Sequence, residues 1–220
     1  MKLPIVELNG TPAQMGEAWG ESCRDEIHEL YEIRLKWAIH FALENRRRFN
    51  EEQILQTCRK SLPLTEECDP DGYEEFCGIG RGAGVSPEQV YVVHGLTDLR
   101  DVLAHGDAPD SAGCSSFFIA PDRSADGHLL LGQNWDLQTD NMPYVRLVVR
   151  RPNEGPDTCC LTVTGGLSMI GINSEGVAVG NTNIRTTDVR IGVQYLSTIH
   201  RAAKSPTLED AVSAVTETPR

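Results

Sequence analysis

Apolar residues in the first half of the chain recur at spacings of three and four. Met15, Trp19, Ile27, Leu30, Ile33, Trp37 and Phe41 follow this rhythm, which predicts one long amphipathic helix reaching about Asn45. Thr11 stands where an N-cap is needed, and Pro12 takes the first helical position. A short strand, "LPIVEL", precedes it. Further helical rhythm covers residues 51–62, 71–82 and 86–103. The last of these opens with Ser86 as N-cap, Pro87 at N1 and Gln89 at the capping-box position. The period then changes. "CSSFFIAP", "HLLLGQNWD", "YVRLVVRRP", "CCLTVTG" and "GVAVGNTN" are short, β-rich and bounded by Gly, Asp, Asn and Pro. "DRSADG" (122–127) joins the first two and reads as a hairpin turn. "VQYLSTIHRAAK" and "LEDAVSAVTE" return to helical rhythm. Helices, an antiparallel meander, then helices again predict a layered α+β architecture. A sheet covered by helices on one face leaves its other face needing cover, so we expect the chain to be a fragment of a longer protein.

Composition narrows the partners. Of 220 residues, 40% are hydrophobic and 24% charged, ordinary values for a globular protein. The net charge is −12, and no basic stripe with interleaved aromatics is present. Neither nucleic acid nor an anionic membrane is therefore an expected partner. No apolar run approaches the ~18 residues of a membrane span, and "MKLPIVELNG" lacks the apolar core of a signal peptide. The expected location is the cytoplasm. Seven cysteines at irregular spacings fit reduced thiols rather than a disulfide framework. Adjacent Cys159 and Cys160 should face opposite ways in a strand. No zinc-ligand spacing occurs.

One cysteine sits where chemistry is conceivable. Cys114 follows Gly113 at the mouth of a strand, after the polar, breaker-rich "HGDAPDSA". A cysteine thiol, with a reference pKa of about 8.5, needs a base to attack near neutral pH. His105 and His128 are the nearest imidazoles in sequence. Cleavage of the Gly113–Cys114 bond offers another base. Cys114 would then carry a free α-amine, whose reference pKa of about 7.7–8.0 needs almost no tuning. Gly113, lacking Cβ, leaves room for attack on its carbonyl. On these residues alone, a buried structural cysteine at a strand start is the competing reading. Ser115 and Ser116 are alternative nucleophiles, but sulfur is better near neutrality and only Cys114 follows a glycine.

The hairpin partner ends in Gln133, Asn134, Trp135 and Asp136, and pairing across "DRSADG" returns that end to Cys114. Asp136 then stands to hold the Cys114 ammonium or to polarise its thiol. Asn181 and Asn183, ending "GVAVGNTN", are candidate oxyanion donors. Turn formation is the alternative role for Asn134, Asp136, Asn181 and Asn183 alike. His28, His40 and His200 read as solvent-facing or core-edge residues, and His128 as the close of a turn. Trp19, Trp37 and Trp135 read as packing residues, with Trp135 also placed to line an acyl pocket. "EIRLKW" and "ENRRRF" read as the solvated side of a helix.

"GCSSFFIAPDRSADGHLLLGQNWD" resembles the cleavage-site region of the isopenicillin N acyltransferase family of N-terminal-nucleophile (Ntn) hydrolases. "NGTPAQMGEAWGE", "GIGRGAGVSPEQV" and "GGLSMIGINSEGVAVGNTN" resemble other segments of that family, in the family's order. The resemblance implies an Ntn αββα sandwich, two antiparallel sheets between helical layers, incomplete at the C-terminus. It implies a helical pro-segment over 1–113 and the start of the catalytic chain over 114–220, within one structural domain. Gly113 and Cys114 become the self-cleavage pair and Cys114 the nucleophile. Asp136 becomes the acidic residue beside it, Asn134 a supporting amide and Asn183 an oxyanion contributor. Departures are "HGLTDLR" (94–100) where the family has Asn-x-Arg-Thr-Glu, and Trp19-Gly20 where it has His-Gly. Members run on the order of a hundred residues further.

The expected activity is a self-processing amidohydrolase or acyltransferase acting on a small-molecule amide or acyl thioester, with no metal or organic cofactor. Its two chains would remain partners after cleavage; whether they form a homo-oligomer stays open. The enzymatic alternative is an acyl-CoA-dependent N-acyltransferase. The alternative of another class is a non-catalytic binding protein or inactive fragment.

Overall fold

The computed structural model describes residues 3–104, 113–136, 139–183 and 189–219. Strand β1 (Ile5–Gly10) leads into helix α1 (Pro12–Ser22). Gln14 N–H donates to Thr11 Oγ1 at 3.3 Å, and Thr11 N–H donates to Gln14 Oε1 at 2.9 Å, completing a capping box. The expected single long helix is in fact two. Cys23 leaves helical geometry (φ −129°, ψ 26°), and α2 (Arg24–Glu44) starts after it.

The reason lies in the packing of α1 on α4 (Pro70–Ala83). A Cβ on Gly16 would stand 2.0 Å from the Glu75 carbonyl oxygen, and one on Gly20 would stand 2.2 Å from that of Ile79. From the α4 side, a Cβ on Gly82 would meet the Glu17 carbonyl oxygen at 2.1 Å. Backbone touches backbone along this pair, which fixes the direction of α1. The chain must then bend before α2 can bury Ile27, Leu30, Leu35 and Ala38 in the main core.

Helix α3 (Glu51–Cys68) runs beyond the expected span and through Pro63, with Leu62 and Thr65 buried around the proline. The span expected as one helix over 86–103 is α5 (Pro87–His94) and α6 (Leu96–Ala104), separated at Gly95. A Cβ there would stand 2.4 Å from Gln194 Nε2, so the joint admits a neighbouring side chain.

Strands β2 (Ser115–Ile119) and β3 (Leu130–Asn134) form a separate antiparallel hairpin. Its connection includes a 3-10 turn at Pro121–Arg123. Strands β4 (Val145–Pro152), β5 (Thr158–Val163), β6 (Ile170–Asn173) and β7 (Ala178–Val179) are antiparallel neighbours. β1 joins the edge of β4 in parallel, giving the order β1-β4-β5-β6-β7. The sheet is thus not a pure meander. The whole helical first half lies between β1 and β4, and such a long crossover permits parallel pairing. Helices α7 (Tyr195–Ala203) and α8 (Leu208–Thr216) follow. Helices and sheets together form an α+β arrangement.

The inward face of β4 carries Arg146, Val148 and Arg150. Arg150 Nε donates to Glu75 Oε1 at 2.7 Å, and Arg146 Nη2 to Glu26 Oε2 at 2.6 Å, so ion pairs tie the sheet to α4 and α2. Two surface expectations fail here. Arg34, within "EIRLKW", is buried and donates to Asn141 Oδ1 and the Val93 carbonyl. Burial pushes its guanidinium down to about 10, still charged at neutrality. His200 is fully buried, its Nδ1 accepting from Ser168 Oγ–H at 2.8 Å. Cys160 is buried and Cys159 only half-buried, as strand alternation requires.

Candidate active site

The hairpin register decides which residues meet. Ser115 pairs with Asn134 and Ser116 with Gln133. Continued beyond the strands, this register sets Cys114 level with Trp135, and Gly113 level with Asp136. Residues directly opposite one another share a face, and successive residues alternate. Gln133 therefore shares the face of Ser116, whereas Asn134 shares that of Ser115 and Phe117. Asn134 and Asp136 are exposed, and Cys114 is half-buried. The structure thus brings "GQNWD" beside Gly113–Cys114, but this alternation turns the Asn134 and Asp136 side chains to the face opposite Gln133 and Cys114. Residues 105–112, including His105 and the expected cleavage linker, lie outside the described residues.

Gln133 joins this hairpin to the main sheet. Its Oε1 accepts from Asn181 N–H at 2.9 Å, and its Nε2 donates to the Asn181 carbonyl. The Asn181 side chain donates to the Met169 carbonyl at 2.8 Å. One of the two N–H donors of the Asn181 amide is thus engaged. Asn183 lies two residues beyond this bridge, as Cys114 lies two residues from Ser116, and it lines a cavity of about 610 Å³. Asp98, Asp101, Tyr195 and Thr198 line the same cavity, with Leu99, Val102, Val193 and Ile199 supplying apolar wall.

The electrostatics of this cavity are unusual. The Asp98 carboxyl is pushed up to about 7, chiefly by burial and further by Asp101; the backbone N–H of Tyr195 and the Arg100 charge offset part of the rise. Its Oδ2 is buried without a hydrogen-bond partner. Burial, then Asp98, push the Tyr195 phenol well above its ordinary range, and the Cys114 sulfur adds to the rise. Tyr195 is the first residue of α7, so Asp98 also sets a carboxylate at that helix N-terminus.

No family model matches the chain. Over 178 residues, 79% of its length, it is 27% identical to the 40 kDa form of acyl-coenzyme A:6-aminopenicillanic-acid acyltransferase from Emericella nidulans. The chain resembles an acyltransferase. It spans about half, 45%, of the length of that relative.

Asp98 and Tyr195 escaped the sequence reading. The only signal for Asp98 was its place in "HGLTDLR", and nothing in "VQYLSTIH" separates Tyr195 from a packing residue. Among the other weighed residues, Trp19 is fully buried and donates from Nε1 to the Gly166 carbonyl. Trp135 packs against the main core and lines a groove of about 680 Å³ with Leu131, Met142 and Ile172. His128 N–H donates to Asp126 Oδ1, closing a turn. His28 and His40 are exposed. In "GINSEG", Asn173 accepts from the N–H groups of Glu175 and Val177 and donates to the carbonyls of Ala203 and Ser205. That motif thus holds a turn against the end of α7. No helix among the described residues is long and apolar enough to cross a membrane, and they contain no cluster of three or more His, Cys, Asp or Glu able to hold a metal.

Proposed function

We propose that this chain carries the self-processing acyl-transfer centre of an Ntn enzyme, with Cys114 as nucleophile. The observation that carries the reading is the double hydrogen bond from Gln133 to Asn181. It brings the Cys114 end of the hairpin to the strand that leads to Asn183 and its cavity. Similarity to an acyltransferase supports it. In this reading the β2–β3 hairpin begins the second sheet of an αββα sandwich, and residues 1–113 and 114–220 are two chains of one domain.

The thiol of Cys114 adds to the Gly113 carbonyl. The C–N bond breaks, the nitrogen takes a proton and becomes the free α-amine, and the Gly113 acyl group passes to sulfur as a thioester. Water cleaves that ester, leaving the Gly113 carboxylate and the Cys114 thiol. In turnover the α-amine accepts the thiol proton while sulfur attacks a substrate amide or thioester. Asn183 donates to the developing oxyanion, Asp136 balances the Cys114 ammonium, and Asn134 orders the hairpin end from its outer face. A preorganised oxyanion donor of this kind contributes roughly 3–4 kcal/mol. Water then releases the acid, or an amine takes the acyl group. All of these steps use the chain's own groups and need no metal or organic cofactor.

The similarity to an acyl-coenzyme A:6-aminopenicillanic-acid acyltransferase favours a second reading, transfer from acyl-CoA to an amine. Partition of a trapped acyl-enzyme between water and added amine separates the two. The primary test is intact mass under denaturing, reducing conditions, on the chain and on Cys114→Ala. Two fragments meeting between Gly113 and Cys114, with the variant whole, are expected. A single mass near 24.2 kDa for the parent chain overturns self-processing.

A further inference from the structure

At the end of β4 remote from the Trp135 groove, a cavity of about 450 Å³ opens beside the β4–β5 connection. Arg150 and Thr158 line it and stand directly opposite each other in the β4–β5 register. They are only 2% and 3% exposed. Arg150 donates from Nε to Glu75 at 2.7 Å and from Nη2 to the Gly166 carbonyl at 3.4 Å, but its Nη1 has no partner. Neither does Thr158 Oγ1. Buried polar groups are ordinarily satisfied, and here two residues paired across the ladder each carry an unsatisfied one. The guanidinium only donates and the hydroxyl can join it, so they call for an acceptor oxygen.

The rest of the cavity limits what carries that oxygen. Glu75 already neutralises Arg150, and Lys204 on the wall already meets Asp69 at 3.0 Å. Asp71 and Glu154, both exposed, mark the mouth, and neither is in an ion pair among the described residues. A bare anion would pass two carboxylates to reach a locally neutral floor. A bare amine would leave the floor donors unmatched. Pro12, Met15, Pro152 and Pro156 provide apolar wall between floor and mouth.

We propose that this cavity is a second small-molecule site that takes a free α-amino acid with an apolar side chain. Its carboxylate meets Arg150 Nη1 and Thr158 Oγ1, its ammonium faces Asp71 and Glu154, and its side chain lies on the proline-lined wall. None of this depends on the chemistry of Cys114.

Calorimetric titration of the whole chain tests it with three matched probes. They are L-leucine, 4-methylpentanoate (which lacks the amine) and 3-methylbutylamine (which lacks the carboxylate). L-leucine is expected to bind saturably at one site, and each analogue about tenfold more weakly or worse. Thr158→Val should weaken leucine binding by a similar factor while raising the melting temperature of the unliganded chain, since an unmatched buried hydroxyl is removed. The surface pair Asp71→Asn with Glu154→Gln should weaken leucine but leave 4-methylpentanoate unchanged or tighter. Absence of saturable leucine binding overturns the site. So does leucine binding that neither set of variants changes. Equal binding of 4-methylpentanoate and leucine overturns the assignment of an amino acid.

Discussion

The Gln133 side chain spans two layers with a single amide, donating to the Asn181 carbonyl and accepting from its N–H. Gln133→Leu strands both backbone groups in a part-buried place, a cost of about 1–3 kcal/mol. Urea denaturation should show that loss, and fragment formation at Gly113–Cys114 should slow with it. Asp98 offers a second test at this scale. Its carboxyl holds a proton to about pH 7 in the folded chain, against 3.8 for an ordinary aspartate. At Asp98 the folded state therefore binds more protons than the unfolded state between these values, and the contribution of this one group to stability falls as pH rises through that window. Asp98→Asn removes that contribution. The variant should gain stability over the parent at pH 8 and little at pH 4, read as urea midpoints. Gln133 was visible in the sequence as part of a motif, but its partner was not, because Asn181 lies on another strand. Asp98 looks like any helix-surface acid until α7 is packed over it.

At the scale of elements, helix caps and strand rhythm were legible because they are local. Thr11 and Ser86 each cap a helix within three residues of themselves. The breaks at Cys23 and Gly95 were not legible, because each is imposed by a distant surface. The α1–α4 contact gives a sharp prediction. Gly16→Ala sets a methyl 2.0 Å from a backbone oxygen that cannot rotate away. The helices must separate, at a cost of about 3 kcal/mol, and thermal melting should report it. Gly155→Ala meets no atom within 4 Å, and its φ of +87° leaves backbone strain as the only penalty. That variant should cost about 1 kcal/mol.

For the molecule as a whole, buried imidazoles couple folding to pH. His94 donates from Nδ1 to Gln194 Oε1 at 3.0 Å, and its Nε2 accepts from Leu167 N–H. Burial pushes it from 6.5 down to about 3. Burial also lowers His200, against the opposing pull of Glu75. At these histidines it is the unfolded chain that binds the extra protons, so their contribution to stability is full above about pH 6.5 and falls as pH drops, for His94 toward pH 3 by up to about 1.4 kcal/mol per unit. With the opposing contribution removed by Asp98→Asn, denaturation midpoints across that range should show a decline that starts above the carboxylate range. His94→Asn should make it shallower, whatever its effect on stability at neutrality. Both histidines join α5 or α7 to the turn after β5, so protonation opposes the docking of the helical layer on the sheet.

The sequence by itself determined where α1 and α5 begin, where the hydrophobic period changes from helix to strand, and which cysteine follows a glycine at a strand mouth. These depend on neighbours a few residues apart, and such neighbours keep their spacing in any fold. Tertiary structure alone decided that β1 lies parallel to β4, that Arg34 and His200 are interior, and that Asn181 meets the Met169 carbonyl while Asn183 opens on a cavity. It also decided that Arg150 and Thr158 stand together with unmatched polar atoms. Each of these is a meeting of segments distant in sequence, and burial fixes the partner and protonation of a polar group only once those segments have packed.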